Sequence, residues 1–362
     1  MKIAYLAWVN SPESGVKKKI DSQVAAWKSY GHDVRPFFLT TILAGKQNFY
    51  KLWPRLNLLN PCTACINDIV EFSPDIVYFR DNGFTMLNIN LLYRFRKKII
   101  VEINSDYISE GKLTRARNFS SWREYWLNAL ALPVFYNLIG GMVCVTDEIA
   151  RRPFYNCHIP KAVVPNSIFV DKFSILKAKD SEDKKVRLFF LGTPEQPWHG
   201  LDKMVALMKK LGPDFFLDII GPEKGDIEKS SSIPDNVSVH GYLKHDAYAA
   251  TISKAHIALS TLGLHRKNMD EACPLKSREY LAQGFPIIIG YTDPALKNEK
   301  PDFVLELPNR EDVFEDHAIV EAVRAFCLKH KHTIVGHETA KKYFDASIWE
   351  QKRLNFFSEV QK

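Results

Sequence analysis

In the stretch EACPLKSREYLAQGFPI, residues 271–287, two carboxylates stand eight positions apart, Glu271 and Glu279, with Lys276 between them. Pro274 is pre-set for a first helical turn, Leu275, Tyr280, Leu281 and Ala282 supply an apolar stripe, and Gly284 provides the residue at which a helix stops. Glu271 is thereby expected in an approach loop and Glu279 inside the helix. The free N–H groups of such a helix start, with Lys276 beside them, favour phosphate. The simpler alternative is that acidic residues near a helix start suit the helix dipole while one of them faces solvent.

The elements that must position this stretch are legible as short apolar runs, each followed by a turn and a segment of helical length. The first half carries KIAYLAW, HDVRPFFL, DIVYFR, KIIVEI and GMVCV; the second carries VRLFFLG, FFLDIIG, VSVHGY, IALST, PIIIG and FVLEL. Strands buried on both faces and alternating with helices predict parallel sheets in two doubly wound α/β domains. A chain of 362 residues suits two such domains of roughly 150 residues or more each. The charged, aromatic-poor second part of VPNSIFVDKFSILKAKDSEDKKV reads as a linker, placing the boundary near 165–185. The domains expected are 1–165 and 166–345, with a helix over 346–362 packing back on the first. In such folds ligands bind at the carboxyl ends of the strands, around a cleft.

Composition bounds the function. With 46% hydrophobic and 25% charged residues the chain reads as a globular protein, and no stretch approaches the roughly 20 apolar residues of a transmembrane helix. The opening MKIAYLAW reads as a first strand rather than a signal peptide. Among six cysteines only Cys62 and Cys65 are closely spaced, without a second pair or an adjacent histidine, so free cytosolic thiols rather than a zinc site are expected. The net charge of +7 is uneven: residues 1–165 hold 21 Lys and Arg against 13 Asp and Glu, whereas residues 166–362 hold 28 against 29. No nucleic-acid-binding pattern accompanies that basic half, so an anionic membrane or a phosphate-bearing substrate fits it as well or better.

Several segments in order resemble the GT-B glycosyltransferases of the large retaining group (family 4) that includes sucrose synthase-like and mannosyltransferase enzymes. These are SPESGVKKKI after the opening strand, GHDV, SPDIVYFR, VPNSIFVDKF with Ser167 where glycine is usual, LGTPEQPWHGLDKMV, NVSVHGYLKHDAYAATISKAHIALS and the paired-glutamate stretch itself. The resemblance spans nearly the whole chain and is strongest from Val186 to Ile289. It implies a nucleoside diphosphate sugar as donor and no metal or other cofactor, and no Asp-x-Asp motif stands at a strand end. Glu279 would accept hydrogen bonds from the ribose hydroxyls and Glu271 would reach the sugar and its developing positive charge. The helix start at Leu275 and Lys276 would take the diphosphate, beyond a proline that has no N–H.

Two departures matter. Relatives carry an arginine and a lysine in the loop after the first strand of the second domain, whereas Gly192 is followed here by TPEQPWHG, with Thr193 and His199 near those positions. The charge could instead come from Arg266 and Lys267, or these could form an exposed basic loop; His199 could donate to phosphate or be a satisfied structural histidine. Relatives also place a histidine where KIIVEINSD has Asn104. Asparagine holds a sugar hydroxyl but cannot act as a general base, which a retaining enzyme tolerates because the departing phosphate takes the acceptor proton. Asn104 and Glu271 are thus the expected sugar-side contacts, with Glu102 and Asp106 read as structural. Gly15 and Val16 are expected to approach the phosphates or to form an ordinary turn, and Gly241 and Tyr242 to contact the base, unless Tyr242 packs in the core.

For the acceptor, RARNFSSWREYWLNALALPVFYNLIGG has Phe119, Trp122 and Trp126 at helical spacing among Arg115, Arg117 and Arg123, and QNFYKLWPRLNLL is also aromatic and basic. These suit either an interfacial helix at an anionic membrane or the core of the first domain. The expectation is a cytoplasmic, retaining glycosyltransferase of a glycan or lipid-linked acceptor, in cell-surface polysaccharide assembly and possessing a peripheral contact with the membrane, with no nucleic-acid partner. The alternative is a GT-B nucleotide-sugar-binding or partner protein with weak or no turnover.

Overall fold

The computed structural model describes residues 1–9, 15–41, 49–51, 60–115, 118–155, 157–177, 185–228 and 232–361. The chain forms two units, Met1–Ile168 with Ala346–Lys362, and Phe169–Asp345. The charged part of the proposed linker, 178–184, and most of QNFYKLWPRLNLL lie outside the described residues.

The first unit runs β1 (Lys2–Trp8), α1 (Gly15–Ser29), β2 (Asp33–Thr40), β3 (Phe49–Lys51), α2 (Thr63–Phe72), β4 (Ile76–Arg80), α3 (Met86–Phe95), β5 (Ile99–Ile103), α4 (Tyr107–Thr114), α5 (Phe119–Leu138), β6 (Gly141–Cys144), α6 (Asp147–Arg151) and β7 (Lys161–Val163). Its parallel sheet has the order β3-β2-β1-β4-β5-β6-β7. Ile3 to Ala7 of β1 are wholly buried, as are Ile99 to Ile103 of β5, because helices cover both faces. β3 (FYK) and β7 (KAV), three-residue strands at the two edges of the sheet, are absent from the runs read in sequence, each having a lysine as one of its three residues.

The second unit runs β8 (Val186–Leu191), α7 (Leu201–Leu211), β9 (Phe215–Ile220), α8 (Lys224–Glu228), β10 (Val237–Val239), α9 (His245–Ile252), β11 (Ile257–Leu259), α10 (Leu275–Ala282), β12 (Ile287–Ile289), β13 (Val304–Glu306), α11 (His317–His330) and α12 (His337–Phe344). The order β10-β9-β8-β11-β12-β13 is again all parallel. Met204, Val205, Leu207, Met208 and Leu211 form one face of α7 and close the core over β8 and β9. In both sheets the strand order reverses beside the first strand, between β1 and β4 and between β8 and β11, the place where open α/β sheets leave a crevice at their carboxyl ends.

The amphipathic segment after His337 divides between the units. α12 stays with the second, while α13 (Ala346–Val360) belongs to the first. Phe357 packs on Trp27 and Tyr78, with ring centroids 5.4 and 5.1 Å apart. Ile348 on the same helix is exposed.

Candidate active site

Helix α10 is fixed by Ser277, Arg278 and Tyr280. Ser277 Oγ shares a buried hydroxyl triangle with Ser260 (2.8 Å), just after β11, and with Tyr291 (2.7 Å), just after β12. Arg278 forms a buried two-pronged pair with Asp293, one arm at 2.6 Å, and Tyr280 Oη accepts from the Leu191 N–H at 2.9 Å. The helix start is therefore held against the ends of β8, β11 and β12. Pro274 stands at the N-cap rather than in the first turn, with ψ 138°, and Gly284 follows the helix at φ 96°. The amides of Leu275 and Lys276 sit at the first two helical positions, where no carbonyl lies a turn earlier to accept from them.

Lys276 reaches across this helix start. Its ammonium lies 4.2 Å from the centre of the Phe190 ring and donates to the Leu191 carbonyl at 3.2 Å. Burial with no acidic partner pushes it down to about 7. His199 lies beside it, edge-on to Phe190 at 5.2 Å, and is buried. Its Nδ1 has no partner, and burial, followed by the charge of Lys276, drives the ring down to about 2, so it is neutral at physiological pH. A Cβ on Gly192 would meet the Phe190 and His199 rings at 2.5 and 2.9 Å.

The carboxyl ends of β8, β9 and β10 are tied together by glycine backbone. The Gly221 N–H donates to the Gly241 carbonyl at 2.7 Å, and a Cβ on Gly221 (φ 101°) would fall 1.9 Å from the Gly192 oxygen. Gly221 was not singled out in the sequence, though a strand followed by glycine is its signal. Gly241 is left-handed, and its Cβ would strike Glu223 Oε1 at 2.6 Å. Tyr242 beside it is 77% exposed, which rules out the core reading.

Glu271 stands before α10 on an isolated parallel bridge to Thr292, and its Oε1 accepts from Lys297 Nζ at 2.6 Å. Lys297 had no sequence signal, since it lies 26 positions away in a loop. Glu279 sits partly buried in the middle of α10, and its charge adds to the burial that raises the Tyr248 phenol. An open pocket of about 390 Å³ borders Asp270, Thr292, Glu306 and Asn309 on the β12–β13 side and includes none of the nominated residues.

The basic loop is arranged otherwise than as a pair of clamps. Arg266 forks onto Asp202 at 2.9 and 2.6 Å, donates to the Pro197 carbonyl at 2.9 Å and pairs with Glu311. All three guanidinium nitrogens are engaged, so Arg266 pins its loop to α7 in place of offering a free charge. Lys267 is buried with Nζ 4.5 Å over the Trp198 ring, which is not the exposed-loop alternative.

In the first unit, Asn104 follows β5. Its Oδ1 accepts from Arg80 at 3.0 Å and from Lys19 at 3.1 Å, while its buried Nδ2 has no partner. Lys19, unflagged by the sequence, is buried on α1 and also donates to Glu102 (2.8 Å) and Asn166 (2.6 Å). Burial pulls its ammonium down to about 8 despite Glu102. Burial alone would raise the Glu102 carboxyl, but Lys19, Arg353 and Arg80 hold it well below the usual carboxylate range. Asp106 caps α4 and pairs with Arg152 at 3.1 Å. Both carboxylates are thus tied into the architecture. Gly15 and Val16 open α1, and the rest of their loop, 10–14, lies outside the described residues. Among the described residues no group of three or more His, Cys, Asp or Glu is placed to hold a metal ion.

No protein-family model matches the chain, and no curated protein matches it in sequence. Solved structures do. It is similar to a sucrose-phosphate synthase from Thermosynechococcus elongatus (TM-score 0.71, 12% identity, covering 99% of this chain and 98% of that one). It is also similar to Anabaena HepE in complex with UDP and glucose (TM-score 0.66, 12% identity, covering 99% and 100%). A third likeness is to the lipopolysaccharide outer core galactosyltransferase WaaB (TM-score 0.61, 15% identity, covering 99% and 100%). At such identities the likeness is one of fold, and the two parallel-sheet, Rossmann-like domains are those of the GT-B glycosyltransferases.

Proposed function

We propose that this chain is a glycosyltransferase that moves a sugar, with retention, from a nucleoside diphosphate sugar to a glycan or lipid-linked acceptor in cell-surface polysaccharide assembly. The observation that carries the reading is the start of α10, where two open amides and the unpaired-by-carboxylate Lys276 lie between Glu271 and Glu279. Similar folds solved with UDP and glucose add weight. The diphosphate seats on the Leu275 and Lys276 amides, where the helix dipole and the ammonium favour negative charge. Its arrival reprotonates Lys276, which takes the part relatives give to cations in the loop after β8. Glu279, one to two turns on, accepts from the ribose diol. Tyr242 stands exposed for the base and Gly241 turns the backbone there.

Glu271 faces the sugar. Freed from Lys297 or sharing it, its carboxylate offsets positive charge that grows at the anomeric carbon as the bond to phosphate lengthens. Asn104 is assigned to a sugar hydroxyl: Lys19 and Arg80 occupy its oxygen, which leaves the amide as donor. No side chain need act as base, because the leaving diphosphate takes the acceptor proton. The rival, a nucleotide-sugar-binding protein without turnover, draws support from the Lys297 bridge that neutralises Glu271.

A thermal-shift screen with UDP, GDP, ADP and their sugars, followed by measurement of nucleoside diphosphate release, separates the two. Stabilisation with release, both lost in Glu279→Ala and release alone lost in Glu271→Ala, supports transfer. Stabilisation with no release from any donor favours the rival, and no stabilisation by any nucleotide overturns both.

A further inference from the structure

Helix α5 is apolar on two opposite faces. At about 100° per residue, Tyr125, Leu132, Phe135 and Tyr136 share one side with Asn128, and all five are buried against the first unit. Phe119, Trp122, Trp126, Leu130 and Val134 fall within an arc of about 120° on the other side. They are 75%, 49%, 44%, 71% and 62% exposed. Phe119, Trp122 and Trp126 therefore do not fill the core. Phe119 stacks on Trp122 with ring centroids 5.8 Å apart. α3, which packs on α5, exposes Met86, Ile89 and Tyr93 at the same helical spacing, and Leu113 of α4 is exposed as well. At about 1.5 Å per residue the stripe from Phe119 to Val134 spans about 22 Å, and an apolar stripe of that length in water marks a surface awaiting a partner.

The charge around the stripe selects the partner. Residues 84–138 contain eight Lys and Arg against four Asp and Glu, and two of those four, Glu102 and Asp106, are buried. Arg123 lies within the helix beside Trp122, and Lys112 and Arg115 end the helix before it. Tryptophans with flanking cations are what an interface between water and anionic lipid accommodates: the rings enter at headgroup depth and the cations meet phosphate. We infer that the outer face of α5 seats the protein on an anionic lipid surface. No helix among the described residues is long and apolar enough to cross a membrane, so the contact is peripheral. A lipid-borne acceptor would then be met in the plane of the bilayer. The inference needs no donor, so its failure leaves the nucleotide-site reading untouched.

The test is binding of the full chain to vesicles of phosphatidylcholine alone and of phosphatidylcholine with phosphatidylglycerol in a one-to-one ratio, at low and high salt, with brominated lipid to quench tryptophan. The expected result is binding to the anionic vesicles at low salt, weakened at least tenfold by high salt and at least tenfold by Trp122→Ser with Trp126→Ser, which also abolishes the quenching. Arg123→Gln should weaken binding to anionic vesicles without changing the melting temperature. Both tryptophans are surface residues, so a melting temperature matching the parent checks that the fold is kept. Absence of binding at low salt, or binding and quenching unchanged in the double variant, overturns the inference. A dimer in sedimentation velocity that the double variant converts to monomer, without vesicle binding by the parent, would assign the face to a second copy of the chain instead.

Discussion

Replacing Lys276 by methionine separates binding from stability, because the structure makes the two oppose each other. The ammonium has one hydrogen bond, to the Leu191 carbonyl, and rests on Phe190 without a carboxylate partner. Burial brings it to about 7 in the folded chain, whereas an unfolded lysine titrates near about 10.4. Between these values the unfolded state binds more protons, so this group makes stability rise with pH; below about 7 its cost is complete. Lys276→Met is therefore expected to melt higher than the parent at pH 7, with the difference shrinking towards pH 10. In the complex the same side chain is worth one charge-assisted hydrogen bond to phosphate, about 1.5–3 kcal/mol, so UDP and pyrophosphate should bind roughly ten- to a hundredfold more weakly to the variant. Uridine should be unaffected. Since only the protonated amine helps the phosphate, parental affinity for UDP should fall as pH rises above 7, accompanied by proton uptake that calorimetry in buffers of different ionisation enthalpy reads directly. The variant should show neither. A variant that is less stable at pH 7 and binds UDP as well as the parent would refute the assignment and leave Lys276 a packing residue.

Three further outcomes follow from the same geometry. Glu279→Gln should lose about tenfold or more in affinity for UDP and, with it, the parent's preference for UDP over 2′-deoxy-UDP, measured by competition. Glu271→Gln should retain UDP affinity and lose turnover, so that kcat falls while the Kd of UDP stays within twofold; Lys297→Met, which removes the 2.6 Å bridge, should change kcat and leave UDP binding alone. Arg278→Met strands the buried Asp293 carboxylate and should lower unfolding free energy by about 3–5 kcal/mol in denaturant titration, with loss of nucleotide binding only as the fold is lost.

How much was legible before folding differs by element. The eleven apolar runs mark eleven of the thirteen strands among the described residues, because a strand covered on both faces needs contiguous apolar residues whatever its neighbours. β3 and β7 escaped because FYK and KAV each have a lysine as one of three residues, whereas β10 and β13, equally short edge strands, read VSV and VLE. The separation of Glu271 from Glu279 by a helix start was likewise local: a proline, a 3.6-residue period and a terminal glycine suffice. What each charge does was not local. Arg266 and Lys276 are both cations close to Glu271 in sequence, yet Arg266 is consumed by Asp202 and Glu311, 64 and 45 positions distant, while Lys276 meets an aromatic ring and a carbonyl. Lys19 is the last of three consecutive lysines, and strand order brings it to Glu102 and Asn166, 83 and 147 positions away.

Which segments are buried sheet, and where the helix that carries Glu279 begins, follow from the sequence alone. Those properties depend on residues within one turn or one strand of each other. Only folding decided which cations remain available, how Glu271 is neutralised, and that Phe119, Trp122 and Trp126 of α5 face outward. Each of these depends on which side chain arrives from a distant part of the chain, and ion pairing, burial and exposure are properties of that meeting rather than of either residue alone.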